Sequence, residues 1–533
     1  MNEVVEAFHW IDWVVVAAYM IGITILGERL AGKQNTIKDF FLGGKSLPWW
    51  AVSGSMIATE ISALTFIGVP AGLYALQGDW TYLQWGIGSI IARFAVAYWL
   101  VPLYYEKQIY SPYDFMGNRL GEGARRLVTA LFSVGSVLGA SVRVVVTALI
   151  LKTVTGMDGM LCIAIIGAIA VLWTFLGGMQ TVIWTDAIQF CLFAAGGLLA
   201  FGWLYFTLGF GEVFELNQVT TAEGEKINKM NMLDLTTPFQ DKALAYTLWV
   251  GIFAMPFQNF AAFGVDQLNT QRMFCCGSIK DARKAMCWSS ISILITLLML
   301  AVGSGLFAWY LKNPPSEGVL AGFKEDKNFV FPAWIVTVLP IGISGTILAA
   351  AFAAAISSLD SVLAALSQTS LSIIFGRDKL EDESQSKKRV AQSRMAVCIW
   401  GVVLTIVSLV LWGVYTRDQN SDLIALAFGV LTYTFGPLLG VLLAAIFLRS
   451  NTAFPGFLIG SVFSFLLADY MRPDVESALR GIGVEGFADW LKSIRINIVS
   501  VWLYPVSALL TFIGGLLSYC ILPKERVDAG RSS

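Results

Sequence analysis

Long apolar segments recur along almost the whole chain and constrain its fold more than any other feature. A helix that crosses a bilayer needs ~20 mostly apolar residues, and in lipid its backbone polar groups must bond within the segment. Segments of this kind lie near residues 10–28, 47–75, 80–104, 124–152, 157–177, 181–208, 244–265, 283–311, 331–375, 390–415, 420–448, 452–471 and 496–522. The sequence therefore predicts an all-α polytopic membrane protein with about 13 transmembrane helices.

The composition agrees with a membrane protein and narrows its function. Of the 533 residues, 56% are hydrophobic and 14% are charged, whereas soluble domains carry about 25% charged residues. The net charge of −1 gives no basis for a nucleic-acid partner. The only histidine, His9, argues against histidine-based catalysis, and we identify no nucleophile–base pair within the spans. We expect no enzyme activity and no organic cofactor.

The basic residues predict how the chain is oriented. The first apolar segment lacks a basic leader region, so we expect a retained span. One alternate set of loops holds about 22 Lys and Arg residues and the other about 11, and the richer set marks the cytoplasmic side. The N-terminus is then outside and the C-terminus cytoplasmic, in the plasma membrane.

A carboxylate lies in the middle of the second apolar segment. The stretch MIATEISALTFIG, residues 56–68, places Glu60 and three hydroxyl residues among apolar ones. One interpretation is a buried carboxylate bonded to a neighbouring helix. The other is a broken helix, whose freed carbonyls can bind a cation and whose half-helix ends can meet a substrate.

A second interrupted span is predicted at residues 251–267, GIFAMPFQNFAAFGVDQ. Pro256 removes a backbone donor within this span. Two interrupted spans in corresponding halves indicate a transporter site. Their spacing fits five-helix repeats at 47–208 and 244–448, after an extra span at 10–28 and before two spans within 452–522. We predict that residues 1–533 form one transmembrane domain.

The ninth span carries an unusually small face with several oxygen donors. Residues 350–361 read AAFAAAISSLDS. Small residues allow close helix packing, which is one explanation of this face. The hydroxyl and carboxylate groups of Ser357, Ser358, Asp360 and Ser361 also suit a hard cation such as sodium.

Four motifs, in order, resemble those of the sodium/solute symporter family. They are DFFLGGKSLPWW (39–50), FLGGMQTVIWTDAIQF (175–190), DQLNTQRMF (266–274) and AAAISSLDS (353–361). Within the family, the chain is most similar to bacterial sialic acid and sugar symporters, with some likeness to the monocarboxylate and iodide branch. The resemblance implies a leucine-transporter-type fold of two inverted five-helix repeats.

The resemblance also implies where sodium binds. The family's main sodium site matches backbone and hydroxyl oxygens at Ala58, Ile61, Ala354, Ser357 and Ser358. A further sodium site, or an exit path for sodium, matches Asp186 and Ser361, with Asp360 as an additional ligand. One or two sodium ions are therefore expected as coupling ions.

Substrate positions are implied in the same way. The matching residues are Ser62, Thr65, Asp79, Tyr82 and Asn259. Glu60 departs from the family, which has a neutral hydroxyl there, and we expect Arg143 to pair with it. Arg143 facing another helix is the alternative. The aromatic residues Phe66, Phe260, Phe263 and Tyr433 are predicted gates, with core packing as the alternative for each.

The predicted function is sodium-coupled import of a small organic solute by alternating access, in a monomer embedded in the lipid bilayer. A sugar, sialic acid or related sugar acid is the expected solute. A sodium-coupled monocarboxylate or anion symporter is one alternative. A proton-coupled transporter that uses Glu60, Asp186 or Asp360 is the other.

Overall fold

The structure, a computed structural model, describes residues 2–30, 36–75, 78–107, 109, 111–176, 178–220, 224, 226–236, 245–375, 386–416, 423–471, 485–494 and 499–522. Within them, the strands are β1 (Gln218–Thr220) and β2 (Lys226–Asn228), which pair antiparallel with Val219 opposite Ile227.

The α-helices of the first half of the chain are α1 (Asn2–Ala7), α2 (Trp10–Leu30), α3 (Ile37–Leu42), α4 (Trp49–Glu60), α5 (Val69–Tyr74), α6 (Gln84–Ala95), α7 (Val101–Glu106), α8 (Pro112–Leu120), α9 (Glu122–Thr155), α10 (Gly159–Leu176), α11 (Met179–Leu208) and α12 (Phe210–Leu216). Those of the second half are α13 (Leu248–Phe253), α14 (Met255–Gly264), α15 (Gln267–Phe274), α16 (Ile279–Trp288), α17 (Ser292–Lys312), α18 (Glu317–Glu325), α19 (Val330–Val338), α20 (Ile343–Phe375), α21 (Ser386–Tyr415), α22 (Leu423–Phe447), α23 (Phe454–Met471), α24 (Glu485–Ile494) and α25 (Leu503–Ile521).

Most of the predicted spans correspond to these helices. Among the described residues, 10 helices are long and apolar enough to cross a membrane, or up to 12 if each of two bent pairs is one span. The remaining predicted span, 157–177, corresponds to the shorter apolar helix α10. The first residues of the spans predicted at 244–265, 420–448 and 496–522 lie outside the described residues.

The second span is broken, which is one of the two interpretations of its sequence. α4 ends at Glu60, and the chain bends by 58° before a helical segment at Leu64–Tyr74. Ile61 is extended, with φ −79° and ψ 114°. The Ser62 Oγ then accepts a hydrogen bond from the Leu64 N–H at 3.3 Å. A serine that bonds the backbone in this way competes with helix continuation, which explains the break.

The other bend lies at the end of the predicted segment and not at Pro256. Pro256 occupies the first turn of α14, where no intrahelical donor is needed. The 52° bend separates Gly264 from α15. There the Asp266 Oδ1 accepts from the Leu268 N–H at 2.7 Å, so this carboxylate caps the start of α15.

Close helix packing positions the small face of α20. α11 packs against α4, α17 and α20. A Cβ added at Gly196 of α11 would lie 2.7 Å from the Ala350 Cβ of α20, and one added at Gly54 of α4 would lie 3.3 Å from the Ala187 Cβ of α11. Small residues at these crossings therefore hold α4, α11 and α20 together.

The chain forms two compact units. The first contains residues 1–83, 136–232 and 271–426, and the second contains residues 84–135, 233–270 and 427–533. Each unit draws on both predicted five-helix repeats, so the repeat boundaries and the unit boundaries differ. The first unit contains α2, the broken helix, α11 and α20.

Candidate functional site

The break after α4 lies beside the serine pair of α20. Carbonyls in the last turn of a helix lack an intrahelical donor. The carbonyl of Ala58 accepts a hydrogen bond from the Ser357 Oγ at 3.0 Å. The same hydroxyl lies 3.4 Å from the Ala354 carbonyl oxygen, and the Ser358 Oγ lies 3.4 Å from that oxygen. Four of the predicted sodium ligands are therefore joined by direct contacts.

These atoms form a buried set of oxygen donors. Ser357 and Ser358 are fully buried, and Ala58, Ile61 and Ala354 are nearly so. Ile61 lies at the break itself, three residues after Ala58. Hydroxyl groups can rotate to turn a lone pair toward a cation. Carbonyl and hydroxyl oxygens suit hard cations, so the chemistry of this donor set fits sodium.

A second buried polar cluster surrounds Asp186 on α11. The Asp186 Oδ2 accepts from the Arg272 guanidinium at 3.0 Å and from the Ser55 Oγ at 2.6 Å. The Arg272 Nε also donates to the Ser55 Oγ at 2.8 Å, and its NH2 group donates to the Ser361 Oγ. Both members of the ion pair are fully buried.

The sequence analysis singled out Asp186 and Ser361 but missed Arg272 and Ser55. Arg272 stands in the DQLNTQRMF motif. A useful signal was available, because a carboxylate within a span requires a partner. The structure supplies that partner from α15, which begins after the 52° bend.

The two clusters are connected through Ser361. Its Oγ donates to the Ser357 carbonyl at 2.5 Å and lies 3.3 Å from the Asp360 Oδ1. Within the part of the chain that the structure describes, the buried Asp186 Oδ1 and Gln189 Oε1 have no hydrogen-bond partner. The predicted second sodium site at Asp186, Asp360 and Ser361 stays a prediction.

Apart from Arg143, the predicted substrate residues of the first unit fall into two groups. Glu60, Ser62 and Thr65 lie at the break, with Glu60 as the last residue of α4. Asp79 accepts from the N–H of Thr81 at 3.0 Å and from its hydroxyl at 2.5 Å, so it caps the turn that carries Tyr82. The predicted pairing of Glu60 with Arg143, a half-buried residue of α9, stays a prediction.

Other predicted residues have specific packing partners. In the first unit, the Phe66 ring is fully buried between the rings of Phe193 and Phe331, at 5.1 and 5.0 Å. In the second unit, the Arg93 guanidinium lies 4.0 Å from the Phe263 ring centroid. These contacts support core packing for Phe66 and Phe263.

Asn259 and Tyr433, two further predicted residues of the second unit, form hydrogen bonds with protein groups. The buried Asn259 donates from Nδ2 to the Met255 carbonyl at 3.0 Å, one turn before it on α14. The Tyr433 hydroxyl donates to Asp469 at 2.7 Å. Phe260 also belongs to α14 and is partly buried.

A buried lysine lies at the far end of the broken helix. Lys229, the residue after β2, donates from Nζ to the carbonyls of Ala75 at 2.6 Å and Gly78 at 3.0 Å, just past the end of α5. The Nζ lies 4.5 Å from the Phe307 ring centroid. Burial lowers the pKa of Lys229 to about 8, and the Asp79 carboxylate opposes this shift. The hairpin is thereby joined to the broken helix.

The family is settled by a match over most of the chain. Residues 40–462 match the Sodium:solute symporter family. The chain belongs to this family. This symporter is therefore a transporter and not an enzyme, and sodium-coupled solute transport is its function.

Its relatives include sodium-coupled transporters of several solutes. It is 28% identical to the sodium/sialic acid symporter SiaT of Proteus mirabilis, over 87% of this chain and 90% of that protein. It is 27% identical to the sodium/sialic acid symporter NanT of Aliivibrio fischeri, over 90% and 91%. It is 26% identical to the sodium/glucose cotransporter of Vibrio parahaemolyticus, over 89% and 87%.

A solved structure shows the same fold. It is the substrate-bound outward-open state of a Na+-coupled sialic acid symporter, with a TM-score of 0.76 and 25% identity, and the match covers 97% of this chain and 99% of that one. This symporter thus has the predicted leucine-transporter-type fold.

Proposed function

We propose that this symporter imports a sialic acid or a related sugar acid or sugar, driven by sodium that binds between the end of α4 and the serine pair of α20. The observation that carries the sodium site is the 3.0 Å contact from the Ser357 hydroxyl to the Ala58 carbonyl across the helix break. The sialic acid relatives support the solute class.

In this proposal, sodium joins the two helices at the break. The Ser357 hydroxyl rotates so that its hydrogen no longer points at the Ala58 carbonyl. Sodium then binds the Ala58 carbonyl and the Ser357 hydroxyl oxygen, together with the oxygens of Ile61, Ala354 and Ser358. It thereby holds α4 against α20 while Glu60, Ser62 and Thr65 bind solute. Inward movement of one charge releases ~2.3 kcal/mol per 100 mV of membrane potential. The Asp186 cluster is the second sodium site or exit.

The remaining predictions complete the proposal. The symporter acts as a monomer in the plasma membrane, with its N-terminus outside and its C-terminus cytoplasmic. Asp79, Tyr82, Arg143 and Asn259 contribute to solute binding. Phe260 and Tyr433 act as gates, whereas Phe66 and Phe263 pack in the core.

Uptake into proteoliposomes tests the coupling ion and the solute together. We expect radiolabelled sialic acid to accumulate when a sodium gradient is imposed and to stay at equilibrium when only a proton gradient is imposed. Competition by unlabelled sialic acids, neutral sugars and monocarboxylates would rank the solutes. Accumulation driven by protons alone would refute sodium coupling, and competition by monocarboxylates alone would refute the solute class.

Replacing Glu60 with glutamine should change solute selectivity. If Glu60 neutralises Arg143, the Glu60→Gln variant presents an uncompensated positive charge to the solute. We expect the ratio of apparent affinities for anionic over neutral sugars to rise about tenfold, which corresponds to ~1.4 kcal/mol. The exposed Glu28 on α2 provides the matched control, Glu28→Gln. An unchanged ratio would show that Glu60 is structural.

A further inference from the structure

A buried carboxylate on the N-terminal helix caps the helix that carries the serine pair. Asp12 of α2 is 1% exposed. Its Oδ1 accepts hydrogen bonds from the N–H groups of Gly342 at 2.7 Å and Gly345 at 2.8 Å, at the start of α20. The first N–H groups of a helix lack intrahelical acceptors, and a residue adjoining the helix in sequence usually supplies one. Here the acceptor comes from a helix more than 300 residues away.

The helix N-terminus is the positive group that faces Asp12. Among the described residues, no Lys or Arg forms an ion pair with Asp12. The N-terminal end of a helix carries a partial positive charge, which favours a carboxylate at that place. Moving α20 along its axis would therefore leave a buried carboxylate without its donors, which is costly.

α2 and α20 are in close backbone contact at this point. A Cβ added at Gly345 would lie 2.7 Å from the Asp12 Cα and 2.8 Å from the Asp12 carbonyl oxygen. Gly342 has a φ of +87°, a conformation that only glycine adopts readily. The backbones of α2 and α20 thus meet directly, and the first turn of α20 is fixed against α2.

The position of this first turn determines the position of the proposed sodium ligands. α20 is one continuous helix from Ile343 to Phe375. A helix rises ~1.5 Å per residue and is stiff over a few turns, so an axial shift at Gly345 is transmitted to Ala354 and Ser357. The Ser357 hydroxyl contacts Ala58 at 3.0 Å, which leaves little tolerance for such a shift.

We propose that Asp12 is a positioning residue for sodium binding: it fixes the axial position of α20 and so the distance between the serine pair and the broken helix. The inference rests on the proposed sodium site. It also gives the extra N-terminal span, which lies outside the five-helix repeats, a role in ion coupling.

The test compares Asp12→Ala and Asp12→Asn in proteoliposomes, after sodium activation of the unmodified symporter has been measured. Removing a helix-capping side chain typically changes the folding equilibrium constant by roughly fivefold. We expect Asp12→Ala to raise the half-saturating sodium concentration about fivefold, with solute KM unchanged at saturating sodium. Asp12→Asn keeps one acceptor oxygen and should give a smaller rise. Sodium-dependent thermal stabilisation of the detergent-solubilised protein should weaken in the same order.

Asp158→Ala is the matched control. The Asp158 Oδ1 accepts from the N–H groups of Met160 at 2.9 Å and Leu161 at 3.3 Å, at the start of α10, which carries no predicted sodium ligand. We expect its sodium activation to match that of the unmodified protein. Lower thermal stability with unchanged sodium activation in both Asp12 variants would overturn the proposal. If Asp12→Ala does not fold, the sodium activation of Asp12→Asn alone decides between these outcomes. Absence of sodium activation in the unmodified protein would instead refute the proposed function.

Discussion

Sodium activation of transport is expected to be lost when Ser357 and Ser358 are both replaced by alanine. Each substitution removes one hydroxyl oxygen from the proposed ligand set. We take each hydroxyl contact with sodium as comparable to a hydrogen bond to a charged group, which contributes ~1.5–3 kcal/mol, so losing two should raise the half-saturating sodium concentration at least about 100-fold. Initial uptake rates of the reconstituted double variant, measured over a wide range of sodium concentrations, provide the readout.

Ser367→Ala serves as the control for this experiment. Ser367 is also a fully buried serine of α20, and its hydroxyl donates to the Leu363 carbonyl of the same helix at 2.7 Å. Its loss should therefore leave sodium activation intact. Sodium activation of the double variant equal to that of Ser367→Ala would eliminate the serine pair as the sodium site.

The Arg272→Met variant is expected to be the least stable single variant. It leaves the fully buried Asp186 carboxylate without its cation, and breaking a buried ion pair in this way costs ~3–5 kcal/mol. Thermal unfolding of the detergent-solubilised protein should shift downward by several degrees. Adding Asp186→Asn should recover part of the loss, because the amide does not need a positive partner.

An exposed ion pair provides the reference for the shift in unfolding temperature. Arg126 lies 3.7 Å from Glu122 on α9, with 71% of the arginine side chain exposed. Exposed pairs contribute ~0–1 kcal/mol, so Arg126→Met should barely change the unfolding temperature. Equal shifts for Arg126→Met and Arg272→Met would contradict the importance of the buried pair.

The span pattern was predictable because it depends on local sequence. The main oxygen cluster was predicted through the family resemblance, since its two halves lie 299 residues apart in the chain. Apolar length predicts spans, and the polar residues of MIATEISALTFIG made a broken helix one of two interpretations, which the structure bears out. The role of Arg272 was not predictable from local pattern, because its burial depends on the bend that precedes α15. Asp12 was missed for a related reason: its two donors lie more than 300 residues away. Pro256 does not mark the interruption of its span, because proline is accommodated in a first helical turn.

The contact between Lys229 and the end of the broken helix also bears on the speed of the transport cycle. The helical segment Leu64–Tyr74 follows the break beside α20, and just past its other end one ammonium group contacts two carbonyls. A motion that separates this segment from the β1–β2 hairpin breaks both contacts. Hydrogen bonds to charged groups contribute ~1.5–3 kcal/mol each, so this single side chain adds an activation barrier to that motion. Lys229 and the hairpin thus slow the release of this segment.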